Sequence, residues 1–166
     1  MKIALMTIYY ATNYGAALQT FATQKLLSRY GDVSLINYKS LHLIRNMRLF
    51  RIGPRPKSIL WAIKDLYRVF PRYRLIQKFK FFIEKYFNKT DEYKHIDEIS
   101  SLDGKFDVFV SGSDQIWNPK VIDDIDRPTG KLDAAYLLGF VKKSKKISFS
   151  SSYGSYSFSE EEQIFL

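Results

Sequence analysis

Three short strings hold the residue types that can do chemistry: Tyr9–Gly15 (YYATNYG), Gly112–Asn118 (GSDQIWN) and Ser150–Gly154 (SSSYG). In the second, Gly112 lets a ligand come close to the backbone, and Ser113 and Asp114 offer an acceptor or a general base. Trp117 could stack on a sugar face. The same string also fits a strand-to-helix turn in which Ser113 or Asp114 caps the helix and Trp117 sits in the core. In the first string, Asn13 and Gly15 could set a helix N-terminus against an anion, or Asn13 could only cap that helix.

Other chemistries find little support. Cysteine is absent, which removes disulfides, thiolate zinc sites and a Cys nucleophile. His42 and His95 are the only histidines, and Ser150, Ser151 and Ser152 have no neighbouring His, so a Ser-His-Asp triad has no basis. Asp123, Asp124 and Asp126 contain a D-x-D, fewer oxygen ligands than a hard-cation site requires. The first loop has one glycine instead of G-x-G-x-x-G, and Asn37-Tyr38-Lys39 stands where an acid would bind a ribose. No metal and no organic cofactor is expected.

These strings need elements to position them. Lys2 to Ile8 is almost continuously apolar, as a parallel strand covered on both faces should be. Leu18, Phe21, Ala22 and Leu26 keep a helical period over 16–30, which Gly31 ends. A strand over 33–38 completes a βαβ unit with a right-handed crossover. Further strands are expected over 106–111 (FDVFVS) and 145–150 (KKISFS), and strand one should lie between strands two and three. Between strands two and three, Leu43, Met47 and Phe50, then Ile59, Ile63, Leu66, Tyr67 and Phe70, then Leu75, Phe79, Phe82, Ile83 and Tyr86 suggest two or three helices. Pro54, Pro56 and Pro71 should break them. Asn118 to Asp133 reads as a polar loop and Ala134 to Val141 as a short apolar element. The fold class is α/β, a Rossmann-like parallel sheet with flanking helices over 1–155, with a basic helical insert over 39–88. In such sheets ligands bind beyond the carboxyl ends of the strands, where all three strings fall. Ser159-Glu160-Glu161-Glu162 is a capping box that announces a further helix, so 156–166 is read as the start of a connection to another domain.

The chain has 166 residues, 46% of them apolar and 26% charged, the balance of a folded globular protein. Twelve Tyr, thirteen Phe and two Trp supply ample core material. The formal charge of +9 is unevenly spread. Lys39 to Lys85 holds thirteen Lys and Arg against Asp65 and Glu84, a local +11, while the remainder is slightly acidic. That basic stretch is either a solvated helical face or, over 45–85 with Trp61, Phe70, Phe79, Phe81, Phe82, Tyr86 and Phe87 interleaved, a peripheral contact for an anionic membrane. No RNA-binding or DNA-reading signature accompanies the charge, which counts against nucleic acid. The N-terminus lacks a signal-peptide pattern and the longest apolar stretch is far too short to span a bilayer, so a cytoplasmic protein is expected, peripheral at the inner face of the membrane if the basic stretch docks there.

Asn13-Tyr14-Gly15-Ala16-Ala17-Leu18-Gln19, then Phe106-Asp107 through Gly112-Ser113-Asp114-Gln115-Ile116-Trp117-Asn118-Pro119, then Ile147 to Gly154, together resemble the polysaccharide pyruvyl transferase family. The resemblance implies the N-terminal half of an enzyme with two Rossmann-like domains facing a cleft, like the GT-B glycosyltransferases. It implies transfer of a pyruvyl group from phosphoenolpyruvate onto a sugar of a cell-envelope or exopolysaccharide glycan, with formation of a ketal, and a C-terminal domain supplying much of the basic donor site. These residues alone would then lack activity. On this reading Asp114 is the catalytic carboxylate, and Asn13, Tyr14, Gly15, Gly112, Ser113, Gln115, Trp117 and Asn118 line the cleft. A GT-B glycosyltransferase domain and a non-catalytic module that docks on anionic membrane or nucleic acid are the alternatives.

Overall fold

A computed structural model of the chain describes residues 1–39, 47–50, 67–122, 134–160 and 163. Among these, five strands form one all-parallel sheet: β1 (Lys2–Met6), β2 (Asp32–Tyr38), β3 (Lys89–Tyr93), β4 (Val108–Ser111) and β5 (Lys145–Ser148), in the order β3-β2-β1-β4-β5. Ile3 pairs with Val33 on one side and Val108 on the other, so β1 is central. The expected α/β Rossmann-like sheet is present, with β1 between the second strand and the strand at 108–111.

Alternation along the strands builds a core on each face. Ile3 and Leu5 of β1, Val33 and Leu35 of β2, and Val108 and Val110 of β4 point one way. They meet α1 (Tyr14–Leu27) through Ala17, and α2 (Val69–Tyr86) through Ile76, Phe79 and Ile83. Ala4, Met6, Ile36 and Phe109 point the other way. They meet Ile99 of the short α3 (Ile96–Ile99), Ile122 of α4 (Pro119–Ile122), and Ala135, Tyr136, Leu138, Phe140 and Val141 from a run of turns over 134–141. Both faces of the central strands are thus dry, as their continuous apolar sequence requires.

Several expectations need correction. β3 was not expected. It lies at the sheet edge, its sequence KTDEY has no apolar alternation, and it holds the ladder through backbone bonds to β2. Charged residues are the usual dressing of an edge strand. In α1 the buried residues are Ala16, Ala17, Thr20 and Thr23, while Leu18 and Leu26 face solvent. Small side chains let this helix lie close to the sheet. Pro71 does not break a helix. It occupies the third position of α2, where the backbone N–H of an ordinary residue would have no intrahelical acceptor. The helical residues read over 51–66, the residue Leu43, and the acidic loop 123–133 lie outside the described residues. No helix among the described residues is long and apolar enough to cross a membrane.

Candidate active site

The chain runs outward from β1 through β2 to β3, then returns to the other side of β1 for β4 and β5. The direction reverses between β1 and β4. Loops that leave the carboxyl ends of two such strands diverge to opposite faces and leave a crevice between them. The loop after β1 contains Asn13–Gly15, and the loop after β4 contains Gly112–Asn118. The loop after β5, Phe149–Gly154, lies beside the second.

The ladder persists one bond past β4, where Gly112 N–H donates to Met6 C=O at 2.7 Å. A Cβ on Gly112 would stand 2.9 Å from Thr7 Cβ and 3.0 Å from Leu5 Cδ1. This glycine therefore serves the close approach of β4 to β1. Ser113 is buried and turned inward: its carbonyl accepts from Thr7 Oγ1 at 3.2 Å, and its hydroxyl pairs with Thr23 Oγ1 at 3.2 Å. Thr20 Oγ1 donates to Ile8 C=O at 3.4 Å. Thr7, Thr20 and Thr23 thus fasten the α1 helix beneath the crevice.

Asp114 follows with φ 101°, a left-handed conformation that is costly for a residue bearing a Cβ. Its carbonyl accepts from Ser152 N–H at 3.0 Å, and its Oδ1 accepts from Gln115 N–H at 2.7 Å. Among the described residues Oδ2 has no such backbone partner, and the residue is half-exposed at the carboxyl edge. Ser151 Oγ donates to Ser111 C=O and Gly112 C=O, both at 2.9 Å, and Trp117 N–H donates to Ser152 C=O at 3.2 Å. The loop after β5 thereby clamps the loop after β4 and holds Asp114 in its unusual backbone geometry. Gly154 is the other contact point: with φ 59°, a Cβ there would run into Gln115 Oε1.

The remaining expected residues divide in two. Gln115 is exposed and accepts from Asn118 Nδ2 at 3.1 Å. Asn118 is buried and caps α4, with Oδ1 accepting from Lys120 N–H at 3.0 Å. Trp117 packs on the core, and its indole N–H donates to Ser111 Oγ at 3.2 Å. At the other loop, Asn13 caps α1 by accepting from Ala16 N–H at 3.3 Å. The N–H groups of Tyr14 and Gly15 lie in the first turn, where helix geometry gives them no carbonyl partner, and both residues are exposed. Tyr14 leans on Phe79 of α2, with ring centroids 4.9 Å apart, at the rim of a cavity of about 210 Å³ lined also by Ala17, Leu18, Lys78 and Phe82. Beside this loop, Tyr9 is buried and hydrogen-bonded to Asn37 Oδ1; burial pushes its hydroxyl well above the ordinary tyrosine range, so it stays a neutral donor. Among the described residues of these loops, the first-turn amides of α1 and the side chains of Tyr14, Asp114 and Gln115 are those left at least partly open to solvent. Thr7, Thr20 and Thr23 support them and were missed; the sequence signal for the pair on α1 was the small and polar set Ala16, Ala17, Thr20 and Thr23 at helical spacing. Ser151 and Ser152, from the third of the expected strings, support them from the other side.

The arrangement is that of a doubly wound α/β domain with a helix N-terminus after one strand and a half-exposed carboxylate after the neighbouring strand at its switch point. The polysaccharide pyruvyl transferase family model matches residues 13–166, nearly the whole chain, and the chain belongs to that family. Comparison with curated proteins and with solved structures gave no match.

Proposed function

We propose that this chain forms the N-terminal, Rossmann-like domain of a two-domain, GT-B-like enzyme. It transfers the pyruvyl group of phosphoenolpyruvate to two hydroxyls of a cell-envelope or exopolysaccharide sugar on the cytoplasmic side. Family membership and the crevice between β1 and β4 support this reading. The carrying observation is that Asp114 and the α1 N-terminus flank one switch point from two adjacent parallel strands.

The chemistry follows from the donor. Phosphoenolpyruvate brings a phosphate and a carboxylate, and the first-turn amides of α1 suit either. Ketal formation joins two sugar oxygens to the central carbon of the donor and breaks its bond to the phosphate oxygen. Of the two hydroxyl protons, one ends on the methylene carbon, which becomes a methyl group, and one on the released phosphate. Asp114 accepts a proton from an attacking hydroxyl, and Gln115 and Tyr14 position the sugar. Gly112, Ser113, Trp117 and Asn118 act through the loop they hold in shape. A second domain closes over the donor, so residues 1–166 alone do not turn over.

The test uses the enzyme with both domains, incubated with phosphoenolpyruvate and pooled envelope glycans. Acceptor-dependent phosphate release, matched by an equal amount of pyruvylated glycan in mass spectra, is expected. Phosphate release without a pyruvylated product, or transfer from a nucleotide sugar instead, would overturn the reading.

A further inference from the structure

The sequence of α2, VFPRYRLIQKFKFFIEKY, buries Ile76, Phe79 and Ile83 against the sheet. At 3.6 residues per turn the opposite stripe is Phe70, Arg74, Gln77, Phe81 and Lys85. All five are exposed, and the two phenylalanines keep 61% and 66% of their surface in water. Their neighbours are cations: the Arg74 guanidinium carbon lies 4.4 Å from the Phe70 ring centre and Lys85 Nζ lies 5.5 Å from that of Phe81. Lys78 and Lys80 flank the stripe on either side and are exposed. The one acid of the helix, Glu84, is engaged by Lys89 Nζ at 2.6 Å and so does little to offset them.

The position of this helix matters as much as its face. Tyr14 meets Phe79, Phe21 meets Phe82 and Tyr86, and Gln24 Nε2 donates to Tyr86 C=O. The two helices therefore run side by side in the same direction, with the start of α1 level with Phe79. The ten residues Val69–Lys78 extend about 15 Å beyond that level at 1.5 Å per residue. They overhang the carboxyl edge of the sheet, where the candidate site opens.

We propose that the outward stripe of α2 docks on an anionic lipid surface. Phe70 and Phe81 enter the boundary between headgroups and acyl chains, while Arg74, Lys78, Lys80 and Lys85 lie among the anionic headgroups. Outward aromatics set within a cationic face, with apolar residues on the opposite side already spent in the core, match an interfacial helix. Net positive charge of this density complements an anionic leaflet, where each cation is worth about fivefold in binding.

Vesicle co-sedimentation tests the proposal without any catalytic step, so its outcome is independent of pyruvyl transfer. Phosphatidylcholine vesicles with phosphatidylglycerol should recover the protein at low salt, less at moderate salt, and phosphatidylcholine alone should not. Arg74→Glu with Lys85→Glu should weaken binding by about 25-fold or more. Phe70→Ser with Phe81→Ser should weaken it at both salt concentrations. These positions are exposed, and an unchanged melting temperature and circular dichroism spectrum would show the fold intact. Equal recovery with neutral and anionic vesicles, no recovery, or recovery indifferent to both double variants would overturn the proposal. So would retention of a single-stranded RNA probe in place of vesicles, which would assign the stripe to nucleic acid.

Discussion

Asp114 concentrates two demands that conflict. Its backbone is held at φ 101° by the bond from Ser152 N–H to its carbonyl, while its side chain must remain available at the crevice. A left-handed residue with a Cβ costs about 1–2 kcal/mol, so Asp114→Gly should be more stable than Asp114→Ala by about that amount, read from urea midpoints at equal slope. Equal stability of the two variants would mean that the backbone is relaxed in solution. Asp103 gives a second test at this scale. Its carboxylate accepts from Lys142 N–H at 2.7 Å, Lys143 N–H at 2.9 Å and Ser144 N–H at 3.1 Å, and these bonds, that from Lys142 first, hold it down at about 2. A carboxyl depressed in the folded state stabilises above its ordinary value near 4, and that contribution is lost as pH falls toward 2. Asp103→Asn should therefore lower the melting temperature at pH 7 and leave it nearly unchanged at pH 2. An equal deficit at both would place the effect in packing.

At the scale of elements, the approach of β4 to β1 depends on Gly112. Adding one methyl puts it within 2.9 Å of Thr7 Cβ and 3.1 Å of Met6 C=O, so Gly112→Ala should cost about 1–3 kcal/mol in chemical denaturation. A neutral result would free this glycine for a role in ligand approach. The elements differ in how openly the sequence declares them. β1, β2 and β4 are legible because strands covered on both faces are dominated by apolar residues, and β1 is expected at the centre because that brings the loops after it and after β4 together. β3 is hidden because an edge strand needs only backbone partners, and KTDEY shows no alternation. The inner face of α1 is hidden for another reason: Leu18 and Phe21 carry the periodicity, whereas the sheet admits only Ala16, Ala17, Thr20 and Thr23. Pro71 misleads because a proline in the first turn of a helix looks the same in sequence as one that ends it. Of the candidate site, the string GSDQIWN marks the place but not the roles. Trp117 and Asn118 are seen to be committed to Ser111 and to the α4 cap only when the 150–154 loop is folded against them.

For the whole molecule, the sheet is the rigid floor on which two loops and a helix end are set. Phe109 lies at its centre, fully buried, with Phe106 and Phe140 edge-on at 5.8 Å and 5.6 Å. Phe109→Ala should cost about 3–5 kcal/mol and lower melting temperature correspondingly; a loss under about 1 kcal/mol would mean that the face carrying α3 and α4 is not a continuous core. On the function proposed, the sheet, both helices of the opposite face and the β5 clamp serve one end, where the loops of the neighbouring strands β1 and β4 carry the first turn of α1 and Asp114. The function we propose is tested most directly by the Asp114→Asn variant of the proposed two-domain enzyme, with turnover and phosphoenolpyruvate affinity determined separately. Loss of a general base should lower turnover by about 10²–10⁴-fold while donor affinity changes by less than about threefold. Turnover within about threefold of the parent enzyme would contradict the central claim, since Asp114 would then take no proton in the reaction.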